Sequence, residues 1–203
     1  MTATAATTTS TTTTSFNFPV QPHLYQFTLE EYEAMTAAGI LTEEHKVELL
    51  FGFIIQKMPI TPSHSGTVSL LSYYFFQRFA GKFQVRMENP ISLANNSQPE
   101  PDCVVVTFRD DFYRSKHPTP ADTHLVIEVA QTTLYTDRSI KAAAYADGGI
   151  TEYWIINLVS LQIEVHLNPD AESKAYADIR QYKQGETFQS PFAGPVAVSD
   201  LLP

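Results

Sequence analysis

From Phe27 onward the apolar residues return at spacings that alternate between helical and extended, whereas the first 26 positions show neither. In FTLEEYEAMTAAGI the pattern predicts a short helix, with Thr28 as its cap, Glu31 completing a capping box and Gly39 as its stop. KVELLFGFIIQKM is rich in strand formers and predicts a strand broken by a turn or bulge at Gly52. SHSGTVSLLSYYFFQRFAG sets Val68, Leu71, Phe75 and Phe79 at helical spacing, with Ser63 or Ser65 as cap and Gly81 as the end. KFQVRMENPISL predicts a strand pair or one bent strand. PDCVVVTF predicts a strand opened by Pro101, where a missing N–H costs least.

The polar loop RDDFYRSKHPTPAD comes next, then a strand in HLVIEVA and a helix over about Asp137 to Gly148. A strand EYWIINL, an alternating LQIEVHL and two short strands in SKAYADIRQYKQGETF complete the order, without an internal repeat. This order predicts an α/β (α+β) domain, a mixed central β-sheet flanked by helices. Residues 27–203 form one domain by length, and residues 1–26, beginning MTATAATTTSTTTTSF, are expected to be a disordered Thr-rich tail.

Strand alternation places three carboxylates among apolar neighbours. Glu128 shares a face with His124, Val126 and Ala130, Asp102 with Val104 and Val106, and Glu48 with Leu50. A buried unpaired carboxylate is strongly unfavourable, and the usual resolutions are a cation, a metal or a raised pKa. Lys141 is a candidate cation, and Asp137, Lys141 and Tyr145 at i, i+4 and i+8 line one helical stripe. From spacing alone, Asp137 with Lys141 is equally well an ordinary surface ion pair.

Composition narrows the classes. The chain of 203 residues is 43% hydrophobic and 17% charged, and no apolar run is long enough to span a membrane. No basic residue followed by an apolar block marks a secretory signal. Cys103 is the single cysteine, which excludes an internal disulfide and a thiolate zinc cage and fits a reducing cytoplasm. The net charge of −9 argues against indiscriminate nucleic-acid binding. It leaves room for a nucleic-acid enzyme, because a cation held by clustered carboxylates reverses the local sign.

Four blocks, VELLFG, PEPDCVVV, LVIEVAQTT and DRSIKAAAYADGGITEYWIINL, occur in an order that resembles a bacterial putative restriction endonuclease family. That family is similar to the PD-(D/E)XK nuclease superfamily, and the likeness runs from about Phe27 to Leu202. Its most specific part is the last block, with Asp137, Lys141, Tyr145, Gly149, Glu152, Tyr153 and Trp154 at the family's spacing. The resemblance implies a restriction endonuclease-like core in which Asp102 and Glu128 bind Mg²⁺ (or Mn²⁺). The backbone carbonyl of Val129 would be a further ligand and Glu48 would assist. It implies DNA as substrate, a homodimer, and Lys141 as the residue that orients and helps deprotonate the attacking water.

The sequence also departs from the superfamily. Ala130 stands where the lysine usually follows Glu128, Phe51 where the family more often has an aspartate, and VAQTT where Ser-Pro-Ser-Thr is usual. His64 matches a histidine frequent in the family; it is an accessory candidate for phosphate or metal-bound water, or else a cap or packing residue. Asp137 and Tyr145 are further accessory candidates. Tyr153 and Trp154 read as core strand, and Glu164 and His166 as exposed positions of an alternating strand. Arg109, Arg114 and Lys116 are nearly cancelled by Asp110, Asp111 and Asp122, so that loop reads as solvated.

No G-x-S-x-G elbow, P-loop, Rossmann glycine pattern or H-E-x-x-H motif is present. Two readings result: a Mg²⁺-dependent phosphodiesterase, or a non-catalytic interaction or scaffold protein that keeps the nuclease fold. Convergence of Asp102, Glu128 and Lys141 separates them.

Overall fold

The hydrophobic pattern is realised element by element in the computed structural model, which describes residues 23–202. All but the last four residues of the Thr-rich tail lie outside that range. Helix α1 spans Leu29–Ala37, and Thr28 and Glu31 exchange the two hydrogen bonds of the expected capping box. Strands β1 (Val47–Leu50) and β2 (Phe53–Gln56) form a hairpin whose two turn residues, Phe51 and Gly52, both have positive φ. At Gly52 a Cβ would lie 2.8 Å from the Phe27 carbonyl oxygen, so only glycine fits.

Helix α2 spans Pro62–Phe79. Its cap is Thr61 rather than Ser63 or Ser65, because Pro62 takes the first helical position, where its missing N–H costs nothing. Thr61 Oγ1 accepts from the His64 N–H at 3.2 Å.

Strands β3 (Phe83–Met87), β4 (Cys103–Thr107), β5 (Thr123–Ala130), β6 (Glu152–Asn157), β7 (Gln162–Asp170) and β8 (Ala175–Lys183) form one six-stranded sheet in chain order. β3 is thus a single strand, and the pair expected in SKAYADIRQYKQGETF is β8, longer than expected, and the start of a strand at Thr187. Only β5 and β6 are parallel. Their crossover is a nearly continuous helix made of α3 (Leu134–Thr136), a π turn (Asp137–Lys141) and α4 (Ala142–Asp147). A hairpin of β9 (Thr187–Ser190) and β10 (Gly194–Ala197) follows. The mixed α+β class expected from the element order is the one observed.

Both faces of the sheet are covered. On one, Leu71, Phe75 and Phe79 of α2 join Val105, Ile127, Trp154 and the β9–β10 hairpin. On the other, Leu50, Val104, Val126 and Ile155 join Ala144 and Tyr145. This second layer corrects one expectation: Glu164 and His166 are 2% and 3% exposed, because α4 packs across β7 and β8. No helix among the described residues is long and apolar enough to cross a membrane.

Candidate active site

The second face ends in a polar cluster. Asp102 immediately precedes β4, and Glu128 lies near the end of its neighbour β5. Lys141 Nζ lies 2.9 Å from Glu128 Oε1 and 3.4 Å from Glu48 Oε1, and all three side chains are buried. Tyr145, also buried, donates its hydroxyl to the same Glu128 oxygen at 2.6 Å. Asp102 Oδ2 meets His64 Nε2 at 3.1 Å and accepts the Val129 N–H at 2.7 Å. Glu48 is held by the Glu100 N–H at 3.1 Å. The ambiguity over Lys141 is thereby resolved: it is a buried partner of Glu128 and Glu48, not half of a surface pair.

Electrostatics follow from this crowding. Burial raises Glu128 to about 8, against the pull of the Lys141 ammonium. Burial also raises Asp137 to about 6, again opposed by Lys141. Burial alone would lower Lys141, but Glu128, Glu48, Asp137 and Asp102 together hold it well above the ordinary lysine value. The hydrogen bond to Asp102 raises His64. Two carboxylates thus lie at salt-bridge distance from one ammonium and two more act on it electrostatically, and such a surplus is relieved by a proton or a cation.

Lys141 reaches this place through the π turn, a feature often found at functional sites. Two interactions anchor the turn. Tyr153 donates its hydroxyl to the Asp137 carbonyl at 3.0 Å. Arg138 makes two hydrogen bonds, 2.8 and 2.6 Å, to Glu164, which also accepts from Asn157 and Gln162. Arg138 and Glu164 were not candidates on the sequence. The alternation of LQIEVHL pointed Glu164 to solvent, because alternation cannot say which face a distant helix covers. Tyr153 is core, as expected, and a support of the turn as well.

Ala130 is fully buried in the apolar cluster of the second face, and the ammonium arrives from the following helix instead. Phe51 lies at the hairpin turn under the Lys174 ammonium, 4.7 Å away. Trp154 is core and donates to buried Glu152, which also holds Ser190 and Phe192 and so pins the β9–β10 hairpin. The loop after β4 is more structured than its charge balance suggests, with Tyr113 buried and its hydroxyl bonded to the Thr107 carbonyl.

The donor set can be tested against a metal ion. Among the described residues no three His, Cys, Asp or Glu side chains form a ready metal cage. Mg²⁺ needs none, since it is commonly held by one or two carboxylates, waters and substrate phosphate. Each hydrogen bond found on Asp102 falls on Oδ2 and each on Glu128 falls on Oε1, so among the described residues one oxygen of each is open. Asp137 Oδ2 is buried without a partner. An all-oxygen set with surplus negative charge fits a hard divalent cation.

A family model described as Uma2, putative restriction endonuclease, matches residues 29–199. A crystal structure of a putative nuclease belonging to DUF820 from Anabaena variabilis ATCC 29413 is similar at 16% identity and a TM-score of 0.62. The alignment covers 86% of this chain and 97% of that one. No curated protein matches significantly.

Proposed function

Because the chain belongs to the Uma2 family of putative restriction endonucleases, we propose that it hydrolyses DNA phosphodiester bonds in a divalent-metal-dependent reaction. The observation that carries this reading is the position of Lys141, 2.9 Å from Glu128 and on the same side as Glu48. It supplies, from a helix, the ammonium that Ala130 cannot. Asp102 and Glu128, with Glu48 and the Val129 carbonyl in support, would hold Mg²⁺ or Mn²⁺, which when bound supplies Lewis-acid stabilisation of phosphoryl oxygens.

The chain's own residues do the rest. Lys141, as an ammonium, orients the attacking water for in-line displacement and offsets charge growing on the phosphate. Tyr145 fixes the Glu128 oxygen that faces Lys141, and His64 fixes Asp102. The product would carry a 5′-phosphate. A homodimer would present two such sites to a duplex, and a cytoplasmic location would give access to DNA.

One observation favours the scaffold reading: Asp102 and Glu128 each already have two hydrogen-bond partners, a network that needs no ligand. Calorimetric titration of Mg²⁺ and Mn²⁺, beside plasmid nicking, separates the two readings. Metal binding lost in Asp102→Ala, with nicking lost in Asp102→Ala and Lys141→Ala, is expected for the enzyme. No metal binding by the wild type at millimolar concentration selects the scaffold.

A further inference from the structure

The loop between β4 and β5 mixes Arg109, Arg114 and Lys116 with Asp110, Asp111 and Asp122. Folding uses two of the three carboxylates locally. Asp111 is taken up by Arg109 at 2.9 and 2.8 Å, by the Ser115 hydroxyl and by the Tyr113 N–H. Asp122 caps the turn before β5 by accepting from the N–H and hydroxyl of Thr119. Arg114 and Lys116 make no salt bridge among the described residues. Together with Ser115, His117, Thr119 and Glu33 they line a cavity of about 380 Å³. That is within the usual size range of small-ligand sites.

The remaining lining is chemically specific. His117 Nδ1 is buried without a partner, so it lacks the hydrogen bond that buried polar atoms normally make. Burial and the Arg86 cation lower His117, against Glu33 and Glu100, and an imidazole keeps at least one N–H to donate. Arg86 itself stacks on Tyr113 and bonds to Asn89 rather than to a carboxylate. Glu33 is tied back by Gln98 at 3.0 Å and adds an acceptor suited to a hydroxyl or amino group beside an anion. The cavity lining thus carries two cations, Arg114 and Lys116, against the single carboxylate of Glu33.

We infer that this cavity binds a phosphate group, held by Arg114, Lys116 and the imidazole of His117, at a site separate from the carboxylate cluster. The phosphate belongs to a nucleic-acid strand or to a free nucleotide, which share this chemistry. Glu100 has a part in both places: its N–H holds Glu48, while its carboxylate is paired with Lys57 at 2.6 Å and acts electrostatically on His117. Only the assignment to a nucleic-acid strand rests on the nuclease reading; the phosphate site does not.

The test uses the full chain in EDTA, so that no cleavage intervenes, with deoxyadenosine monophosphate and a fluorescent duplex oligonucleotide as probes. Arg114→Ala/Lys116→Ala alters two exposed side chains, and a thermal melt checks that the fold is kept. Both probes should bind the wild type, and the double variant should bind each at least about tenfold more weakly. Its salt slope for the duplex should fall by about 2 in magnitude, one for each phosphate no longer neutralised. Weakened mononucleotide binding with unchanged duplex binding would keep the site and assign it to a free nucleotide. Equal binding by wild type and variant, or no binding of either probe, would overturn the inference. Metal titration and nicking report separately on the carboxylate cluster, so failure of the nuclease reading would remain distinguishable.

Discussion

Lys141 and Glu128 meet at 2.9 Å inside the protein although 13 residues separate them, because the intervening chain leaves β5, turns and returns along the sheet as a helix with a π turn. The pair is buried and shared with Glu48 and Tyr145, so its members are interdependent.

Removing only the ammonium leaves carboxylates buried and unpaired. Lys141→Met should destabilise the fold by about 3 kcal/mol, and Lys141→Met/Glu128→Gln should recover most of that loss. Urea denaturation measures both. Equal stability of the single and double variants would show that the pair is not coupled. Neither variant should nick plasmid DNA.

Tyr145→Phe keeps the ring packed and deletes one 2.6 Å hydrogen bond to Glu128. The expected cost is about 1 kcal/mol in stability. Nicking should slow by roughly tenfold, the equivalent of about 1.4 kcal/mol of barrier. A rate equal to wild type in single-turnover nicking would remove Tyr145 from the positioning set.

The two hydrogen bonds between Arg138 and Glu164 hold the π turn onto β7. Arg138→Lys cannot reproduce the two-pronged geometry, and Arg138→Ala removes the charge as well. Stability should fall by about 2 kcal/mol in Arg138→Ala and less in Arg138→Lys. Nicking should follow the same order, with metal affinity little changed. A calorimetric titration in which metal affinity collapses along with rate would assign the clamp to metal binding instead.

His166 packs against the rings of Tyr153 and Tyr176, with both nitrogens buried and unpartnered. Burial lowers it from 6.5 to about 4. The unfolded chain therefore takes up this proton first, so stability is full above about 6.5 and is lost as pH falls toward 4. The shift corresponds to roughly 3 kcal/mol. Burial pushes Glu164 up, but Arg138 and Asn157 outweigh it and hold its carboxyl below the ordinary value, which adds an acid loss of the same sign. His166→Phe should be more stable at pH 7 and should flatten the stability profile between pH 6.5 and 4. Denaturant melts across that range would refute the assignment if both proteins lost stability in parallel.

The sequence by itself determined what depends on near neighbours. Thr28 and Glu31 cap a helix, Gly52 turns a hairpin, and strand alternation puts Glu48, Asp102 and Glu128 on apolar faces. Each is a property of a few consecutive residues and the backbone geometry they adopt. The tertiary structure alone decided which partner each charge receives. Lys141 turns inward to Glu128, Arg138 covers Glu164, and His166 is buried because a helix from the β5–β6 crossover lies over a strand that follows it. Likewise the loop charges that cancel when counted along the chain are used unequally when folded, since Asp111 and Asp122 are hydrogen-bonded within the loop and Arg114 and Lys116 line a cavity. Burial and pairing are set by surfaces that meet across the sheet, and no local period records which surfaces those are.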